Sequence, residues 1–93
     1  MSVNVRIPTP LRSLVGGQEE IEVPATSVKE AIDLVDRSYG GFKSRICDDS
    51  GKARRFINFY VNQKDIRSLA GFETPLNGGD ILSIVPAIAG GTA

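Results

Sequence analysis

The sequence contains no histidine, no tryptophan and only one cysteine, Cys47. Without an imidazole, chemistry that depends on a histidine base is excluded within this chain. One cysteine forbids an intrachain disulfide, which fits a reducing compartment. An excess of charge of either sign is missing too, since eleven Lys and Arg balance eleven Asp and Glu. No net field therefore draws the molecule toward nucleic acid or anionic lipid. No apolar run approaches the roughly 20 residues that span a bilayer. The N-terminal residues alternate polar and apolar, unlike the apolar centre of a secretory signal. The expectation is a cytoplasmic protein with no nucleic-acid and no membrane partner.

The 93 residues suffice for one domain. A chain of this size buries roughly 60–65% of its unfolded surface, enough for one sheet backed by one or two helices. With 41% hydrophobic and 24% charged residues it is too apolar for general disorder.

Val3, Val5 and Ile7 alternate with Asn4 and Arg6, the pattern of a half-buried strand starting near Ser2. Pro8 and Pro10 end it. Gly16-Gly17 is a turn candidate, and Gln18 to Val23 supplies a second strand with Ile21 and Val23 inward. The short separation favours an antiparallel pair. Ser27-Val28-Lys29-Glu30 has capping-box spacing, with Ser27 as N-cap and Glu30 reaching back to it. Val28, Ala31, Ile32, Val35 and Tyr39 then form a helical stripe, closed by Gly40-Gly41.

Phe42 to Cys47 admits a short second helix or an irregular cover. Phe56 to Val61 is rich in aromatic and β-branched residues and reads as a strand. Its Phe56 and Tyr60 share one face, while Ile57, Phe59 and Val61 share the other. The exposed aromatic surface calls for cover from the Phe42–Cys47 segment or from a partner. Asn62-Gln63-Lys64-Asp65 is expected to turn, and Ile66 to Phe72 to hold a short edge strand or a loop. Leu76 is a further packing anchor. Asn77-Gly78-Gly79-Asp80 launches a final strand, Ile81 to Pro86, for which a central position is expected. This order of elements suggests an α+β roll.

Most polar clusters read as ordinary structure. Cys47 has no histidine or second cysteine to work with and reads as a packed small residue. Asp48 and Asp49 read as turn residues, and no metal-ligand spacing occurs. Lys52, Arg54 and Arg55 form the densest basic stretch, either a solvated loop or a partner-facing patch.

The end of the chain is different. After Pro86, Ala87-Ile88-Ala89 forms an apolar leader suited to a partner groove, followed by Gly90-Gly91. Paired glycines offer nothing to a core and are costly to order. They do slim the backbone where a reaction needs access to a carbonyl.

At this point the sequence resembles the MoaD/ThiS family of sulfur-carrier proteins. The resemblance runs from Val3-Asn4-Val5-Arg6-Ile7-Pro8 and Leu11-Arg12, through Thr26-Ser27-Val28 and Phe56-Ile57-Asn58-Phe59-Tyr60-Val61-Asn62, to Asp65-Ile66-Arg67. Its specific part is Asn77-Gly78-Gly79-Asp80, then Ile81-Leu82-Ser83-Ile84-Val85-Pro86, then Ala87-Ile88-Ala89-Gly90-Gly91. It is similar in particular to the carriers of cysteine and thioquinolobactin biosynthesis. The resemblance implies a ubiquitin-like β-grasp fold, a mixed four- or five-stranded sheet packed against one main helix. It also implies a β-grasp domain over residues 1–86 and a flexible tail over residues 87–93.

In that family the protein is a cosubstrate rather than an enzyme, and no cofactor is bound. Gly91 would be the reactive carrier terminus, with Ala87, Ile88, Ala89 and Gly90 recognised by partners. An E1-like adenylating enzyme using ATP and magnesium would activate the Gly91 carboxylate. A sulfurtransferase or other sulfur donor would convert it to a thiocarboxylate for a sulfur-accepting biosynthetic enzyme.

The sequence departs from the mature pattern because Thr92 and Ala93 follow Gly91 and hold its carboxyl group in an amide. Similar carriers are trimmed by a zinc-dependent JAMM-type metallopeptidase, so Gly91 and Thr92 form the expected processing site. A ubiquitin-like protein modifier and the small subunit of a molybdopterin-synthase-like complex are the alternative functions.

Overall fold

The computed structural model describes residues 2–86. Five strands form one mixed sheet: β1 (Val3–Arg6), β2 (Glu20–Val23), β3 (Ile57–Val61), β4 (Lys64–Asp65) and β5 (Ile81–Pro86). Their order across the sheet is β2-β1-β5-β3-β4. Two helices, α1 (Val28–Ser38) and α2 (Phe42–Ile46), join the core. This is the ubiquitin-like β-grasp, with the five-stranded version of the expected sheet.

The β1–β2 pair is antiparallel, as the short separation predicts, with Val5 opposite Ile21. Between these strands the two prolines do more than end β1. Residues Thr9–Val15 form a 3₁₀ helix with proline in its first turn, an element that periodicity does not predict. Leu11 and Val15 on this helix are buried, so it closes one end of the core. Gly16 ends it at φ 67°, a left-handed conformation that glycine adopts without a Cβ penalty.

Helix α1 begins where the capping signal places it. Ser27 Oγ accepts from the Glu30 amide at 3.1 Å. The reciprocal half differs from expectation. Glu30 Oε1 accepts from the Thr26 amide at 2.6 Å and its hydroxyl at 2.9 Å, instead of from Ser27. Backbone bonds from Leu76 N–H to Thr26 C=O and from Val28 N–H to Thr74 C=O tie this entry to the 74–76 segment. The tie presents the Thr26 donors to Glu30. Val28, Ala31, Ile32 and Val35 are buried against the sheet, while Tyr39 is half-exposed.

The Phe42–Cys47 segment takes the helical alternative, with Phe42 and Ile46 fully buried. It packs into the core beside α1 and the 9–15 helix and leaves Phe56 uncovered at 52% exposure. Strand β3 starts at Ile57, one residue later than expected, and Phe59 and Val61 point inward. The expected four-residue turn narrows to Asn62-Gln63, both at positive φ (49° and 76°). That pair matches the twist of a two-residue hairpin. Lys64 and Asp65 form the edge strand, and Ile66–Ser68 turns away as a 3₁₀ helix.

Strand β5 lies in the centre, as its apolar run demands. It runs parallel to β1 and antiparallel to β3, with Leu82 between Val5 and Val61 and with Ile84 opposite Phe59. Leu82 is 0% and Ile84 2% exposed, whereas Val85 on the other face is 42% exposed. Truncating Ile84 to Ala is expected to cost about 2–5 kcal/mol in unfolding free energy. Val85→Ala should cost well under half as much. Urea denaturation of both variants checks this, and equal losses would contradict the assigned strand faces.

Candidate functional site

The site is built outward from β5, because the residues expected to react come directly after it. Its start is clamped by a polar network. Asp80 Oδ2 accepts from the Asn77 amide at 2.8 Å, and Asp80 Oδ1 from Asn62 Nδ2 at 3.0 Å. Asn62 Oδ1 in turn accepts from the Ile81 amide, and the Asn62 amide donates to Ile81 C=O. The Asp80 carbonyl receives the Asn4 amide, which fixes the parallel register with β1. The glycine-aspartate turn is thus a hub joining the starts of β1 and β5 to the β3–β4 hairpin.

The far end of β5 is the last part of the chain described. There Pro86 lies opposite Ile57. On the face away from α1, Val85 stands beside Asn58, and Ser83 between Arg6 and Tyr60. Phe56, in the turn just before β3, is exposed, and the Arg55 guanidinium sits 5.7 Å from its ring centroid. On the β1 side, Arg6, Pro8, Arg12, Ser83 and Val85 line a shallow cavity. Arg12 Nε donates to Ile7 C=O at 3.0 Å, which holds that side chain at the strand end. The last described part of β5 thus carries an exposed Val85 with Arg6 and Arg12 nearby, and the turn before β3 carries an exposed Phe56 with Arg55 near its ring.

Ala87, Ile88, Ala89, Gly90, Gly91 and Thr92, the residues that the sequence marks for reaction and recognition, lie outside the described residues. The structure describes the strand that precedes them in the sequence. Val85 is an addition to that set, although its alternation with Leu82 and Ile84 marks it as outward-facing.

The remaining polar clusters behave as structure. Cys47 is 4% exposed, and burial pushes its thiol pKa up, away from a reactive thiolate. Asp48 Oδ1 accepts from the Ser50 amide and hydroxyl and from the Lys52 amide, which knits the 48–52 turn. These bonds hold its carboxyl below the usual range. Among the described residues no group of three or more His, Cys, Asp and Glu is placed to hold a metal. No helix among them is long and apolar enough to cross a membrane.

The fold and the order of its strands are those of a ubiquitin-like β-grasp with a central last strand. The chain belongs to the ThiS family, which matches residues 5–91. It is 40% identical over 93 residues to the sulfur carrier protein CysO of Mycobacterium tuberculosis, covering 98% of this chain and all of that one. The crystal structure of that CysO superimposes with a TM-score of 0.87 at 38% identity, covering 92% of this chain and 99% of the other. A chain in the crystal structure of the Amycolatopsis orientalis BexX/CysO complex gives a TM-score of 0.88 at 43% identity, covering 95% and 98%.

The Asp80 hub carries a pH dependence. Bonds from the Asn77 amide and the Asn62 side chain hold the Asp80 carboxyl below its ordinary pKa of 3.8. A depressed folded-state pKa contributes stability that is present above the unfolded value and lost as pH falls through the folded one. Asp80→Asn should therefore flatten the acid limb of the stability curve below about pH 4. Urea titrations across that range measure it, and an unchanged acid limb would rule out this role for the hub.

Proposed function

We propose that this protein is a sulfur carrier stored as a precursor. Removal of Thr92 and Ala93 frees the Gly91 carboxylate. An adenylating enzyme with ATP and magnesium then joins that carboxylate to the α-phosphate, releasing pyrophosphate. Hydroxide is a poor leaving group and AMP a good one, so a sulfide-level sulfur nucleophile attacks the Gly91 acyl carbon, AMP leaves and a thiocarboxylate remains. When the donor is a sulfurtransferase persulfide, the acyl disulfide formed first is cleaved by a thiol reductant. The protein is the cosubstrate in each step. The observation that carries this reading is the family match extending through Gly91, immediately beyond the platform at Pro86.

The geometry supports division of labour between domain and tail. Recognition falls to the face around Phe56 and Val85, edged by Arg6, Arg12 and Arg55, and to Ala87, Ile88 and Ala89. Gly90 provides a slim approach and Gly91 the reactive carbon. Processing between Gly91 and Thr92 is assigned to a zinc-dependent JAMM-type metallopeptidase. The resemblance to CysO proteins favours an acceptor enzyme of cysteine biosynthesis.

Intact-mass analysis of the protein recovered from its native cell tests the proposal. The expected species has lost Thr-Ala, and a fraction carries the increment of one oxygen replaced by sulfur. Persistent full-length protein in cells using the pathway would overturn the precursor reading. Higher-mass conjugates with a diglycine remnant on lysine would assign it to protein modification instead.

A further inference from the structure

A second surface lies on the opposite side of β3 from the β5 exit. Strand β4 pairs with β3 only at Tyr60 and Val61. It stops there because the Asp65 carboxylate accepts the Arg67 amide at 2.8 Å and turns the chain into the Ile66–Ser68 3₁₀ helix. Ile66 drops into the core. The β3 edge from Ile57 to Phe59 consequently has no strand beside it among the described residues. Asn62 directs its amide to β5, so by alternation Ile57 and Phe59 direct theirs to this open edge. The Ile57 amide is taken by Arg54 C=O.

A groove of about 270 Å³ occupies the place where β4 would continue. Its apolar lining comes from Ala53, Ile57, Phe59, Ile66 and Phe72. Phe72 packs edge-on against Phe59 at 5.3 Å between centroids and keeps the wall in place. Arg54, Arg55 and Arg67 also border it, and Asp65 is its one lining carboxylate. Arg67 already occupies that carboxylate at 2.7 Å. Arg54 is positioned by a bond from its Nε to Ser44 C=O at 2.8 Å.

We propose that this groove is a docking site for an extended acidic segment of a partner protein, which adds as a strand along residues 57–59 of β3. Backbone pairing supplies the common part of such binding, and pockets for alternate side chains supply the selectivity. Here apolar side chains enter between Phe72 and Ile57 while carboxylates meet the arginines. The same arginines repel the identical edge of a second copy, which selects an acidic partner over self-pairing. The site lies across β3 from β5, shares only Arg55 of its arginines with the exit surface, and does not depend on Gly91.

The test uses the full chain, isotope-labelled, titrated with a short synthetic peptide alternating valine and glutamate. Amide resonances of residues 57–59 and 66–67 should shift. The Arg54→Glu variant should bind about tenfold more weakly and prefer a valine–lysine peptide. Wild-type mapping decides the question by itself if that variant folds poorly. Shifts confined to the β5 exit face, equal affinity of the wild type for the lysine peptide, or no binding at millimolar peptide would overturn the proposal. So would concentration-dependent dimerisation through residues 57–59.

Discussion

The structure depends on β5 being held from both sides. It is the last strand in the sequence, yet it sits in the middle of the sheet between β1 and β3. Its inward residues Leu82 and Ile84 meet Val5, Val61 and Phe59, joining the first and last strands in one apolar layer. A parallel β1–β5 pair needs a crossover between its strands, and the chain supplies one containing α1, α2 and the β3–β4 hairpin. Losing β5 would divide the sheet and uncover α1. The segment beyond Pro86 is thus launched from the best-supported part of the molecule.

That arrangement separates stability from chemistry. Side chains that elsewhere act as nucleophiles or bases are absent or spent on structure. Cys47 is buried, Asp48 knits a turn, and Asp80 clamps the start of β5. The proposed carrier role, with its reacting carbon in the backbone of Gly91, would have little need of them. In the proposed function the partners would supply the nucleotide, the metal ions and the sulfur, and the domain a recognisable surface. Its balanced net charge hides a local asymmetry, because arginines border both the β5 exit and the groove beside β3.

Much of the fold was legible because its signals are local and strong. The alternation of Val3, Val5 and Ile7, the Ser27 cap and the apolar stripe of α1 each placed an element correctly. The central position of β5 also followed, since Leu82 and Ile84 need cover and the residues beyond need an anchor. What escaped was set by tertiary context. Thr9–Val15 reads as a proline-broken loop until Leu11 and Val15 are seen closing the core. Glu30 turned to Thr26 because of bonds from the distant 74–76 segment. The early end of β4 comes from an Asp65–Arg67 turn that competes with continued pairing, a contest that periodicity does not register. For the site, the diglycine itself lies outside the described residues, and the strand before it could be read directly. The exposure of Phe56 could not, because it depended on where α2 packs.

The central claim is that Gly91 reacts only after Thr92 and Ala93 are removed. The direct measurement is pyrophosphate release by the protein's own adenylating enzyme with ATP and magnesium. It compares the full-length chain with a chain ending at Gly91. The account predicts release with the shortened chain, without any peptidase, and none above background with the full-length chain. Equal release from both, or a peptidase requirement that persists for the shortened chain, would contradict it.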